Sequence, residues 1–300
     1  MIRSMCSGQL LLAIGVVTLP LAFEHATAQE DVLLETIQGK VREFRAFATS
    51  LQGKVISSDV AQSQGKAPLI GTNTWIFKQS KDCALFHENT QHSDGNDTER
   101  VWCVNSKYGF ILRKKDGEWA VSSLDALNPQ SIRYAGQSLA DHVLNSLTLS
   151  YPRELIDKAT TKIEIVKAKE MNATMIKYER TFEPGPPLDD VVKSKGTMWL
   201  DRNLGFALVK VEAQSTSKRH KQEGKSVVIL EYDGKLDGFP KLKKRTISSV
   251  SVTQDGASND SKSVQHYELS VDRKAPPAQF RLSAFGLPEP EGIVWENGKQ

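Results

Sequence analysis

The chain has 300 residues, of which 39% are hydrophobic, and its formal net charge is +3. A small positive balance spread along the chain excludes the clustered basic face that nucleic-acid binding needs. Beyond the N-terminal segment no window approaches the eighteen apolar residues of a membrane-spanning helix. We therefore expect no nucleic-acid partner and no transmembrane segment in the mature protein.

The N-terminal segment has the features of a signal peptide. Arg3 supplies a positive start, residues 10–23 are almost entirely apolar, and Ala26-Thr27-Ala28 offers the small-x-small pattern that signal peptidase cuts. The apolar core of about fourteen residues is too short for a stable membrane anchor. We predict that residues 1–28 are cleaved, that the mature chain begins at Gln29, and that the protein is periplasmic or secreted.

An amphipathic helix is predicted next. Its apolar side chains recur at steps of three to seven residues, which places them on one helical face. Gly53 is a plausible stop signal. The stripe predicts a helix that packs against an apolar surface, and it consists of Leu33, Leu34, Ile37, Val41, Phe44 and Leu51.

Short runs of period two, separated by turn-forming residues, predict β-strands along the remaining chain. Residues 130–159 interrupt this pattern with two helical stretches. We predict a mainly β protein with helices (α+β) and a single domain over residues 29–300. Its architecture is a large twisted antiparallel sheet or half-barrel, with the N-terminal helix and the mid-chain helical insert packed on the concave face. The predicted strands cover residues 75–77, 83–88, 100–104, 108–112, 119–124, 162–168, 174–181, 196–201, 206–213, 226–232, 242–253 and 263–271.

Two cysteines, Cys83 and Cys103, remain after Cys6 leaves with the signal peptide. An even pair in an oxidising compartment favours a disulfide bond. Such a bond typically contributes about 2–4 kcal/mol, mainly by restricting the unfolded chain. A redox-active pair would more usually have the Cys-x-x-Cys spacing, so we predict a structural bridge.

No motif indicates catalysis, a cofactor or a metal. His87 and His92 flank a glutamate, but they are five residues apart, whereas a zinc-protease helix needs a spacing of four. A hydrolase remains an alternative only if His142, His266 and Asp201 converge in space. We therefore predict a protein that is not an enzyme, with no cofactor and no metal site.

Two basic runs, residues 218–221 and residues 241–245, are the densest clusters of positive charge. Solvated loops and an exposed strand edge explain them without any function. Contact with anionic lipid or with a partner protein is the functional alternative.

Several segments together resemble a known pattern of exported bacterial proteins that lack an assigned activity, over most of the mature chain. The segments are residues 105–112 followed by Trp119, 196–201 followed by 209–212, 231–232 followed by 238–242, and 280–290. The strand, aspartate turn and strand from Trp199 through Asp201 to Val209 are also similar to the lipoprotein-carrier superfamily, which includes the Lol-type lipoprotein localisation factors. That resemblance implies an incomplete antiparallel β-barrel that folds around helices and holds acyl chains in its hollow.

Aromatic side chains alternate along the predicted strands. They would form either a filled core or an apolar pocket that a curved sheet leaves open, with the helices as its lid. Our leading hypothesis is a soluble exported protein that binds a lipid, a lipoprotein acyl chain or another apolar ligand without catalysis. The alternative is a structural or interaction module with a closed, ligand-free β core that contacts an envelope protein partner. The predicted lining is Trp75, Phe77, Phe110, Leu112, Leu33, Ile37 and Val41.

Overall fold

The computed structural model describes residues 19–48, 51–65, 67–79, 83–95, 97–126, 161–167, 173–182, 192–217, 221–254, 256–271 and 276–292. This part of the chain forms one α-helix, thirteen strands and two short 3₁₀ helices, Pro277–Phe280 and Leu282–Phe285. Within these ranges no helix combines the length and the hydropathy needed to cross a membrane. The remaining elements are α1 (Leu19–Ala48), β1 (Leu51–Ser63), β2 (Leu69–Gln79), β3 (Ala84–His92), β4 (Thr98–Val104), β5 (Gly109–Lys115), β6 (Glu118–Asp125), β7 (Thr161–Lys167), β8 (Ala173–Phe182), β9 (Val192–Asp201), β10 (Ala207–Ser217), β11 (Gln222–Leu236), β12 (Phe239–Thr253) and β13 (Ser258–Val271).

All thirteen strands belong to one antiparallel sheet in the order β6-β5-β4-β3-β2-β1-β13-β12-β11-β10-β9-β8-β7. Two meanders, β1 to β6 and β7 to β13, are joined where β1 pairs with β13 from Leu51↔Val271 to Ser63↔Asn259. The sheet is open, with β6 and β7 as its end strands. The prediction of a large antiparallel sheet with an N-terminal helix is confirmed, whereas the predicted helical insert at residues 130–159 lies outside the described residues.

The helix ends earlier than the sequence pattern predicts. It stops at Ala48, and Leu51 is the first residue of β1, a strand that is absent from our predicted strands. Gly53 is therefore a strand residue and not a helix stop. A Cβ atom there would lie 2.3 Å from the carbonyl oxygen of Glu268 on β13, so this position needs glycine because the neighbouring strand approaches closely. At its other end α1 begins at Leu19 and runs through the predicted cleavage point after Ala28.

The two faces of the sheet carry separate apolar clusters. We call the face on which α1 packs the helix face and the opposite one the outer face. Because side chains alternate along a strand, neighbouring residues belong to different faces. The helix-face cluster includes α1 and residues from β1 to β4 and β8 to β13, and the outer-face cluster joins β3, β4 and β5 to the C-terminal segment.

The C-terminal segment, residues 276–292, covers the outer face beside β5, and we call it the C-terminal clamp. Phe280 and Leu282 are buried in the outer-face cluster. Asn105 Nδ2 donates a 2.8 Å hydrogen bond to the Phe280 carbonyl oxygen. The Tyr108 hydroxyl donates to Glu289 Oε2 at 2.5 Å and accepts from the Leu282 N–H at 3.1 Å. The clamp is thus held by buried polar contacts as well as by its apolar side chains.

Candidate functional site

The contact between α1 and the helix face is apolar. Ile37 and Val41 are fully buried and Phe44 is 3% exposed, and these residues share one side of α1 at steps of four and three. The Phe44 and Phe47 rings pack against the Phe239 ring of β12, with centroid separations of 5.5 and 4.7 Å. The sequence pattern placed Ile37, Val41 and Phe44 on one helical face, although it also included Leu51, which belongs to β1. In the described part of the chain, α1 is the element that covers the helix face.

The apolar surface beneath α1 continues across much of the sheet. Phe77 of β2 pairs with Phe86 of β3, which pairs with Trp102 of β4. The Phe86 and Trp102 rings are 5.8 Å apart. The surface continues in the other direction as far as β8, so that it crosses ten consecutive strands. Its buried sheet residues are Leu51, Val55, Phe77, Phe86, Trp102, Ile176, Tyr178, Met198, Leu200, Ala207, Leu208, Val211, Leu230, Leu242, Tyr267 and Leu269.

The structure separates the residues that we predicted as the ligand lining. Trp75, Phe77, Leu33, Ile37 and Val41 all belong to the helix-face cluster or pack against it. The other two, Phe110 and Leu112 of β5, are fully buried in the outer-face cluster.

Strand register explains this separation. Trp102 of the helix face pairs with Ile111, so Phe110 and Leu112, one residue away on either side, point to the outer face. Of the seven predicted lining residues, only the first five therefore share the helix face.

A polar network lies on the helix face next to the apolar surface. Ser57 is fully buried, and its hydroxyl is 2.8 Å from Asp59 Oδ1 and 3.1 Å from the Ser263 hydroxyl. Asn73 Nδ2 donates a 2.7 Å hydrogen bond to Asp59 Oδ2. Since these groups satisfy one another, the network stabilises the meeting of β1, β2 and β13.

Arg245 of β12 is a second polar feature of the helix face. It pairs across the sheet with Leu230 of β11 and with Gln265 of β13. Its Nε is buried and has no hydrogen-bond partner in the described part of the chain. Burial lowers the pKa of the Arg245 guanidinium. The electrostatic interaction with Tyr267, and next a hydrogen bond with the Tyr267 side chain, act in the opposite direction. The Tyr267 hydroxyl in turn donates to Gln265 Oε1 at 2.6 Å.

The sequence analysis missed the position of Arg245 because a β-bulge determines it. The register between β11 and β12 shifts near Tyr232, which pairs with Leu242, whereas Leu230 pairs with Arg245. Leu242 and Arg245 therefore share the helix face although they are three residues apart, an odd spacing that would place them on opposite faces of a regular strand. The run of basic residues around Arg245 looked like a solvated strand edge, and no simple pattern in the sequence marks the bulge.

The two cysteines are buried on the outer face, and the structure contains no bond between them. Cys103 pairs with Leu85, which makes Cys83 its diagonal neighbour across β3 and β4. Diagonal Cα atoms are typically about 7–8 Å apart, whereas a disulfide usually needs about 4.4–6.8 Å. Burial, and next the nearby Cys83, raise the pKa of the Cys103 thiol. The predicted bridge remains a prediction, and forming it requires a small shift of Cys83, which lies just before β3.

Those residues considered for catalysis that lie in the described part of the chain do not converge. His87 Nε2 is 2.9 Å from Glu99 Oε1, and its ring meets the Trp119 ring edge-on. His266 lies on β13 and Asp201 on β9, four strand spacings or about 19 Å apart in the sheet, and His142 lies outside the described residues. The described ranges hold no group of three residues that could bind a metal ion.

A groove of about 630 Å³ crosses β7 to β11 between two rows of side chains. Ile176 and Val211 belong to the helix-face cluster, and Lys177 and Glu212 are the next residues along the same strands. Because side chains alternate between faces, Lys177, Glu212 and the groove lie on the outer face. Three glutamates and three lysines line it, which gives it no net charge to select an anion or a cation. Its charged side chains are Glu164, Glu179, Glu212, Lys177, Lys195 and Lys225.

No known protein family and no curated protein matches the sequence. In structure the chain is similar to a LolA superfamily protein from Nitrosomonas europaea, with 9% identity, coverage of 76% of this chain and 89% of that one, and a TM-score of 0.33. It is also similar to a DUF1329 family protein from Desulfovibrio piger, with 11% identity, coverage of 84% and 98%, and a TM-score of 0.40. An S-type phycobiliprotein lyase from Guillardia theta matches at 7% identity over 75% of this chain and 92% of that one, with a TM-score of 0.25. Similarities this distant carry no argument about binding or activity, and the fold described above rests on the strand pairing.

Proposed function

We propose that the chain is an exported binding protein that shelters a lipid, a lipoprotein acyl chain or another apolar ligand against its helix face, and that it does so without catalysis. In this proposal the sheet curves into a half-barrel and α1 is its lid. The ligand takes the place of part of α1 and contacts the residues that α1 covers. The predicted lining then reduces to Trp75 and Phe77 on the sheet, with Leu33, Ile37 and Val41 on the lid.

The observation that carries the proposal is the width of the apolar helix face. The ten strands that contribute to it span about 43 Å in a flat sheet, at about 4.8 Å per strand. A helix is only about 10–12 Å wide and covers two or three strands of such a sheet. An apolar face much wider than its covering helix favours a curved sheet that can also hold a guest molecule.

The energies of the helix and of a guest are comparable. Five apolar side chains of α1 belong to the helix-face cluster or pack against it, namely Leu33, Ile37, Val41, Phe44 and Phe47. At about 1.5–3 kcal/mol for each of the three buried side chains, and about half of that for the partly buried Leu33 and Phe47, they contribute roughly 6–12 kcal/mol. An acyl chain of sixteen carbons gains roughly 12 kcal/mol at about 0.8 kcal/mol per CH₂. Exchange of α1 for an acyl chain is therefore close to balanced, as a carrier that must also release its ligand requires.

Native mass spectrometry of the protein purified from an exporting host, followed by organic extraction, tests this function. We expect a bound lipid or acyl species that is lost on denaturation. The measured mass of the protein also tests export, because it shows whether the chain begins at Gln29. A ligand-free mass that persists after incubation with a total lipid extract would contradict the proposal and favour the interaction module with a closed core.

Variants of α1 make the test specific. Phe44→Ala removes a ring that packs on Phe239 and weakens the docking of α1, so we expect it to increase ligand uptake. A lid that opens more often raises the apparent affinity in proportion to the open fraction. Val32→Ala is the matched control, because Val32 lies on the same helix but is 63% exposed. Equal uptake by both variants would contradict the role of α1 as a lid.

A further inference from the structure

Arg245 is out of place in an apolar surface. By register its neighbours across the sheet are Leu230, which is 4% exposed, and Gln265, which is 9% exposed. Arg245 is partly buried, and a guanidinium N–H group that is removed from water is costly unless it is paired. Yet Nε is buried and lacks a hydrogen-bond partner among the described residues. An anion that completes this pairing would remove the cost.

The neighbouring side chains hold the guanidinium in a defined orientation. The Tyr267 hydroxyl gives its proton to Gln265 Oε1, so its oxygen is available as an acceptor for Arg245. Tyr267 and Gln265 are themselves buried. Arg245 is therefore fixed at one side by this pair, while its Nε remains available for a second partner.

We infer that Arg245 is the headgroup anchor of the helix-face site and that the ligand is an acidic amphiphile, with a carboxylate or a phosphate at the end of its apolar chain. The inference rests on the proposed function, because it assigns the headgroup of a ligand whose chain that proposal places on the helix face. A guanidinium offers a planar fork of N–H donors that matches two oxygens of a carboxylate or phosphate. An uncharged headgroup would leave this partly buried positive charge unneutralised.

The test compares ligands that share one chain length and differ in headgroup. The full chain after export is loaded with the uncharged apolar dye N-phenylnaphthylamine, and palmitate, palmitoyl lysophosphatidate and hexadecanol are titrated as competitors. We expect at least one of the two acids to displace the dye at concentrations about 10- to 100-fold lower than the alcohol. Preference for palmitate identifies the carboxylate of a fatty acid, and preference for the lysophosphatidate identifies a phospholipid-type phosphate.

Two variants assign the preference to Arg245. R245M keeps the length of the side chain without its charge, and we expect it to lose the preference for the acid over the alcohol. R245K keeps the charge without the planar fork and should retain part of the preference. If R245M does not fold, R245K still tests the role of the guanidinium. K243M is the matched control, because Lys243 is 62% exposed on the same strand and should leave all affinities unchanged.

The outcomes separate the two proposals. If the wild type binds the alcohol as tightly as both acids, or if R245M and R245K keep the full preference, the headgroup anchor is refuted while the binding of apolar ligands stands. If neither the dye nor any of the three amphiphiles binds, the proposed function fails, and the anchor fails with it.

Discussion

The C-terminal clamp depends on the hydroxyl group of Tyr108, and Tyr108→Phe removes that group alone. Tyr108 is fully buried, and its hydroxyl both donates to Glu289 Oε2 and accepts from the backbone N–H of Leu282. The substitution takes one contact from a carboxylate and leaves one backbone donor without its acceptor. It does not change the ring, which packs 5.8 Å from the Phe110 ring.

The magnitude follows from these two contacts. A hydrogen bond to a charged group contributes about 1.5–3 kcal/mol, and an ordinary one contributes about 1 kcal/mol. We expect Tyr108→Phe to lower the free energy of unfolding by about 2–4 kcal/mol. For a domain of this size each kcal/mol lowers Tm by about 2–4 °C, which predicts a decrease of about 5–15 °C.

Guanidinium unfolding followed by tryptophan fluorescence measures this loss, since Trp119 contacts Phe285 of the clamp. Tyr232→Phe is the control, because the Tyr232 hydroxyl donates to the neutral carbonyl oxygen of Leu208 at 2.7 Å. That variant should lose only about 0.5–1.5 kcal/mol. If Tyr108→Phe is no less stable than Tyr232→Phe, the clamp is not held by the phenol and our account of it is refuted.

The same phenol predicts a dependence on alkaline pH. Burial is the main cause that raises the pKa of Tyr108, and its hydrogen bond to Glu289 is the next. The folded state therefore favours the protonated phenol. Its contribution to stability is complete below the ordinary tyrosine pKa of about 10 and is lost as the pH rises through the higher pKa of the folded state. We expect stability to decline above about pH 10 in the wild type, and less steeply in Tyr108→Phe.

Three further predictions follow from the packing. Phe110→Ala should cost about 3–5 kcal/mol in chemical denaturation but leave dye binding by the folded fraction unchanged, because Phe110 lies on the outer face. Gly196→Ala would place a Cβ atom 2.3 Å from a carbonyl oxygen of the next strand and should lower the free energy of unfolding by about 1–3 kcal/mol. Gly39→Ala in α1 meets nothing within 4 Å and should raise the free energy of unfolding by about 0.5–1 kcal/mol. In the reduced protein Cys103 should react slowly with thiol reagents because burial raises its pKa, and thiol titration of the exported protein should find Cys83 and Cys103 unreactive if the predicted bridge forms.

The sequence predicts elements well where one periodicity persists. The stripe that includes Ile37 and Val41 identified the buried side of α1, and the short alternating runs identified most strands of the sheet. β1 was missed because its second half is largely exposed, even at the apolar Val60 and Ala61, and most of its other residues there are polar, so that no apolar alternation marks it. Gly53 then looked like a helix stop, because a close approach between strands has the same local signature as a helix end.

The two faces of the sheet are harder to predict than its strands. Phe77 lies beside Ile76 and Phe110 beside Ile111, so each belongs to a short run of adjacent apolar residues. Their strands are separated by two others, and the register of each strand pair decides which residues share a face. Register depends on turn geometry and on packing between distant segments. The faces on which Phe110 and Arg245 lie therefore could not be predicted from the patterns of single strands. The clamp could not be predicted either, because its 3₁₀ helices are too short to show a periodic pattern.

The extent of α1 connects export with binding. The helix runs from Leu19 to Ala48, so cleavage after Ala28 would remove its first ten residues and leave 48 − 28 = 20. The three residues that are buried most deeply against the sheet, Ile37, Val41 and Phe44, all lie in the part that remains. Twenty residues form a helix of about 30 Å. A helix of this size covers only part of the helix face, so a ligand can displace it. In proteins most of the stability of a helix comes from the packing of its amphipathic face, so α1 depends on the same apolar surface that a ligand would occupy. Competition for that surface requires no catalytic group, and the balance between lid and ligand is then set by the few side chains of α1 that pack on the sheet.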